Sequence, residues 1–277
     1  MKSICKPVSR VLFSILIIIV SAIIAIIMHA VLPAKVDESL FDGWLVAKYG
    51  FEVTAIAYFL ILFTHCTAVL MLNRNKLIGT KNKSAINFGL AFSLIYMIGM
   101  QEIVLSSSPY TQWGSAFIRY QLMMGIGDAI PAIVLCLLIG ILFFTGQQTH
   151  GSFKRKGTIP TIFSFMVLVG TIRLIGSYSG VIKSEIFTYP VPVAIWGYIL
   201  GLVFGIVYVL IERTTSSHMK TMLLGYGVNW MIFNSFIGLI RKDAMADAML
   251  RSIIDLISLC IAIRLSCIIN KRLLVQS

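Results

Sequence analysis

Acidic residues are scarce in this chain. There are 11 of them against 23 lysines and arginines, and charged residues fill only 12% of its 277 positions. With 58% of residues hydrophobic, that scarcity excludes a disordered chain and a soluble domain of this length. Cysteine is sparse too. Cys5, Cys66, Cys136, Cys260 and Cys267 form no CxxC pair, so a thiolate metal centre has no support. None of them falls in an outer loop of the topology below, and no extracytoplasmic disulfide is expected. The chain lacks HExxH and HxxxH, leaving His29 and His65 as helix-packing or interfacial residues rather than metal ligands. It also lacks GxSxG, a phosphate loop and a dinucleotide fingerprint. No cofactor is expected, and no lysine in the last span offers a retinal Schiff base.

What the chain has instead is apolar length. Eight stretches can cross a bilayer: 11–32, 53–72, 85–105, 124–145, 159–178, 190–211, 221–240 and 249–269. The first follows Lys2, Lys6 and Arg10 but exceeds a signal-peptide core, so it reads as a retained helix. Numbering the gaps alternately separates the charges. One set, including Arg74, Lys76, Lys81, Lys83, Arg155 and Lys271, holds a single acid, Glu212; the other set, with the span ends beside it, holds every other acid. Short basic loops stay in the cytoplasm. The expectation is an all-α polytopic bundle of eight spans over 1–277, one integral membrane domain, both termini cytoplasmic, in the plasma membrane. The basic surplus then meets an anionic inner leaflet and needs no nucleic acid. The sequon at Asn82 falls in an inner loop and is idle.

Outer loops 33–52 and 106–123 carry interfacial aromatics such as Trp44 and Trp113. Gly197, Gly201 and Gly205 line one face of span six and allow close helix approach within the fold. Gly125, Gly127 and Pro131 predict a proline kink in span four. Asp128 and Asp255 each sit shortly inside the outer end of spans four and eight. That hints at two parallel four-span repeats, though the identity is so low that chance accounts for it.

Ionisable groups inside spans face a bundle interior or a water-filled cavity. Glu102, Asp128, Arg173, Asn234, Arg251 and Asp255 all fall at similar depth in the outer half, and they are the candidate substrate-binding set. Asp243, Asp247, Arg251 and Asp255 recur every four residues, which lets Arg251 meet Asp247 on one side and Asp255 on the other. Arg173 needs an acidic partner among Glu102, Asp128 and Asp255. Three acids against two bases in the deeper group leave one carboxyl in excess, suited to a cation or a protonatable solute.

Three functions fit. The first is a transporter- or channel-like protein for a small polar or cationic solute. The second is a non-catalytic accessory, sensor or immunity protein that serves a partner membrane protein. The third, a membrane enzyme acting on a lipid-linked substrate, has carboxyls to offer but no visible nucleophile. A water-lined path to Asp255 favours the first, and a dry, fully paired cluster the second.

Overall fold

The computed structural model describes residues 5–33, 41–107, 115–145, 157–242 and 244–275. Every extended regular element among them is a helix: α1 (Cys5–Val31), α2 (Trp44–Tyr49), α3 (Phe51–Asn73), α4 (Lys81–Ser107), α5 (Ser115–Phe143), α6 (Thr158–Tyr178), α7 (Pro190–Glu212), the short α8 (His218–Lys220), α9 (Val228–Ile240) and α10 (Met245–Val275). Eight stretches are long and apolar enough to cross a membrane, α8 and α9 together forming the seventh, and they match the expected spans within a few residues. Their ends follow local chemistry. Pro190 opens α7, where a missing N–H costs nothing. Gly50, at φ 85°, turns the chain from α2 into α3 in a conformation that favours glycine.

The surface is that of a protein in lipid. On α1, Leu12, Leu16, Ile23 and Ile27 are exposed, while Ile17, Ile18, Ala22 and Ala25 are buried. Leaving so much aliphatic side chain outside is unfavourable in water and neutral against acyl chains.

α1 packs on α3 and α5, α4 on α5 and α7, α6 on α7 and α10, and α9 on α3 and α10. The glycine stripe of span six works within the chain. A Cβ on Gly201 would stand 2.7 Å from the Phe165 carbonyl, and one on Gly205 would stand 2.9 Å from Ile162 Cα. Gly197 is looser, with Arg173 Cβ at 3.6 Å.

Helix α5 runs unbroken through Pro131. The irregular stretch is in the seventh span, where Thr221–Gly227 winds as a π-helix between α8 and α9. Such turns rotate the side chains that follow, here Asn229 and Trp230.

At the end of the bundle that holds the basic loops, a short clasp ties the two halves. Leu77 forms an antiparallel bridge with Thr215. The Ile78 N–H donates to the Thr214 carbonyl at 2.8 Å, and the Ser216 N–H donates to the Lys76 carbonyl at 2.9 Å. Beneath it, Asn73 Oδ1 accepts from the hydroxyls of Thr215 (2.8 Å) and Thr221 (2.9 Å). At the opposite, acidic end, Gly43 docks on the tip of α9, its N–H donating to the Ile240 carbonyl at 3.0 Å.

Candidate functional site

Arg173, near the end of α6, finds its acidic partner in Asp255 of α10. The guanidinium donates through Nε to Oδ1 at 2.6 Å and through Nη2 to Oδ2 at 2.5 Å. Trp230 Nε1 donates to Oδ2 at 2.7 Å, and the Arg173 guanidinium lies 5.3 Å from the Trp196 ring centroid. Asp255 is only 1% exposed. A planar fork on a carboxylate is the strongest side-chain geometry for this pair, and the indole supplies a third donor. Both carboxylate oxygens of Asp255 are thus paired.

The four-residue stripe on α10 therefore divides differently from its spacing. Arg251 pairs with Asp247, one turn toward the acidic end, and its Nη2 also donates to the Lys183 carbonyl at 3.1 Å. Asp247 accepts from the Lys183 N–H at 2.9 Å. Arg251 and Asp247 together thus hold the loop between α6 and α7. Both Asp255 oxygens belong to Arg173 and Trp230, not to Arg251. A pocket of ≈ 20 Å³, the space of about one water, lies between the two arginines, lined also by Ser177, Ser184 and Trp196.

Asp128 stands apart from these pairs. Its Oδ1 lies 3.1 Å from His29 Nε2 on α1, and its Oδ2 has no hydrogen-bond partner among the described residues although Asp128 is 1% exposed. Gly127 makes the approach possible, because a Cβ there would stand 2.8 Å from the imidazole. His29 stacks on Phe59 at 5.7 Å between centroids. Next to Phe59, Tyr58 is buried, lies within electrostatic range of Asp128, and has a hydroxyl without a partner among the described residues. A buried carboxylate with one free oxygen, one imidazole and one phenol nearby can take up a proton or hold a small cation.

The other expected residues fall elsewhere. Asn234 is buried, but its amide donates to the Trp230 carbonyl of its own helix at 2.9 Å, and its Oδ1 has no partner among the described residues. Glu102 lies on α4 with its side chain outside the described residues, and Asp243 is outside them altogether. A second polar group, absent from the expected set, sits deeper. Tyr96 donates to Asn229 Oδ1 at 2.7 Å, and Asn229 Nδ2 reaches both His65 Nδ1 (3.2 Å) and Cys66 Sγ (3.4 Å). Adjacent in sequence, His65 and Cys66 still meet one amide, because that amide lies in the sector between their directions.

Trp230 is absent from the expected residues, and His29 is expected only as a helix-packing or interfacial residue. Each carried a usable signal: an imidazole or indole N–H deep in a span needs a partner. Among the described residues no three His, Cys, Asp or Glu side chains group as a metal site would require. No model of a known protein family matches this chain, and neither does any curated protein or solved structure.

Proposed function

We propose that this chain is a carrier for a small cationic or protonatable solute, with the acidic loops outside, both termini in the cytoplasm, and Asp128 as the group that meets the solute. The observation that carries the reading is the free Oδ2 of a buried carboxylate. The charge count locates it. Arg173 cancels Asp255 and Arg251 cancels Asp247, so Asp128 is the described carboxylate of the cluster without a permanent cation. Within the candidate set, Arg173, Asp255 and Arg251 hold the helices in place, while Asp128, joined by His29 from outside that set, carries out the binding.

A second reading has its own support. The Arg173–Asp255 pair, with both carboxylate oxygens taken, suits an accessory membrane protein whose charges only fix its packing. Flux separates the two. Purified protein is reconstituted into liposomes loaded with a pH-sensitive dye and challenged in turn with sodium, potassium, choline and spermidine. A solute-dependent change in internal pH that Asp128→Asn abolishes supports the carrier. Liposomes indistinguishable from empty ones across the panel would replace it with the accessory reading; an undiminished response in Asp128→Asn would remove Asp128 as the group that meets the solute.

A further inference from the structure

Most contacts within the first four spans recur within the last four; the α3–α5 contact has no comparable counterpart between α7 and α10. α1 packs on α3 and α5 as α6 packs on α7 and α10; α4 lies on α5 as α9 lies on α10. Across the middle, α3 meets α9 and α7 meets α4. Exchanging the halves maps each of these contacts onto another. The clasp obeys the same exchange. Any antiparallel bridge has a local two-fold axis, but this one joins the loop between the second and third spans to the loop between the sixth and seventh, which are counterparts. The shared placement of Asp128 and Asp255, which chance could explain in the sequence, is therefore tertiary.

The ion pairs follow the same rule. His29, near the acidic end of the first span, meets Asp128 of the fourth; Arg173, near the same end of the fifth, meets Asp255 of the eighth. Each base lies against an aromatic ring of the next span, Phe59 or Trp196. The sites differ in two places. Histidine stands where the second half has arginine, and the Trp230 donor that completes Asp255 has no counterpart on Asp128 Oδ2.

We propose that His29–Asp128 is a proton-binding site, and that its two-fold counterpart, Arg173–Asp255, is the same site fixed in its charged form. Arginine does not release its proton in proteins, so Asp255 stays a carboxylate. Histidine exchanges one near neutral pH. A proton entering the first site adds to His29 or to Asp128 Oδ2, forming one N–H or O–H bond and breaking none within the protein. The His29 side chain is 20% exposed against 1% for Asp128, so the imidazole is the more accessible of the two. From α3 the site faces Tyr58. α4 approaches through Met97, which touches Gly125, and Glu102 of that helix has its side chain outside the described residues. On α5 itself Arg119 is exposed. The site would supply the coupling proton of the carrier proposed above, but its geometry does not depend on that reading.

Infrared difference spectroscopy tests it, using the full chain in lipid nanodiscs stepped between pH 9 and pH 5. Wild type is expected to show a protonated-carboxyl band that Asp128→Asn removes and Asp247→Asn retains. His29→Arg, which rebuilds the first site in the image of the second, is expected to remove the band while the protein still elutes as a single folded species. Gly127→Ala, which displaces the imidazole, is expected to shift the midpoint without removing the band. A band that survives Asp128→Asn, a band unaffected by His29→Arg, or no titrating band in wild type overturns the proposal. In wild type, a titrating band without solute flux sinks the carrier and keeps the site; solute flux without a titrating band sinks the site and keeps the carrier.

Discussion

Arg173 grips Asp255 with two near-parallel hydrogen bonds, at 2.6 and 2.5 Å, across the contact between α6 and α10. Two helices far apart in sequence are thereby pinned at one depth and one rotation.

Removing either partner leaves a buried charge uncompensated. Asp255→Ala and Arg173→Ala are each expected to lower stability by about 3–5 kcal/mol. Asp255→Asn is expected to lose folded protein as well, since a neutral amide cannot balance the guanidinium. From spacing alone that variant would fold, because the i, i+4 spacing makes Arg251 its neighbour, and an asparagine still hydrogen-bonds an arginine. The double variant Arg173→Met/Asp255→Leu should recover most of the loss. Thermal unfolding in detergent, followed by size-exclusion fluorescence, measures all of these; a double variant no better than the worse single would rule out charge compensation.

Trp230→Phe deletes one donor to Asp255 and keeps the ring. A hydrogen bond to a charged group contributes about 1.5–3 kcal/mol, so a partial loss of thermal stability is expected, smaller than that of Asp255→Ala. Equal losses would mean that the indole acts by packing alone.

The glycine stripe separates two neighbours. Gly201→Val places carbon against the Phe165 carbonyl, already 2.7 Å from a bare Cβ, and should sharply reduce the yield of folded protein. Gly197→Ala meets nothing nearer than 3.6 Å and should be nearly silent. Membrane expression of both, side by side, decides it.

Asn73 accepts from two hydroxyls under the clasp. Asn73→Leu strands the Thr215 and Thr221 donors, with an expected cost of about 1–3 kcal/mol. Faster proteolysis in the 74–80 loop would be the local signature, and protection equal to wild type would count against the clasp as a tie.

Orientation is open to direct test. An impermeant thiol reagent applied to intact cells should label Lys48→Cys and miss Lys83→Cys; both residues are exposed at opposite ends of the bundle. Labelling of Lys83→Cys alone would invert the proposed topology.

The sequence by itself determined the helices and their lengths, because twenty-odd apolar residues in a bilayer have no other way to satisfy their backbone. It also required a partner for Arg173, because a lone guanidinium at that depth is too costly. It could not choose the partner. The i, i+4 spacing favoured Arg251 for Asp255, yet side chains one turn apart compete with those of neighbouring helices, and α6 brings a better-aligned fork to the same carboxylate. His29 and Asp128 lie on the first and fourth spans, and nothing in their local sequences says that α1 packs on α5. Nor does any local signal announce that the 74–80 and 213–217 loops meet. Which polar groups pair, and which carboxylate oxygen stays free, was decided by the tertiary structure, because contact between helices depends on their packing angles and on small residues such as Gly127 and Gly201 that let them approach.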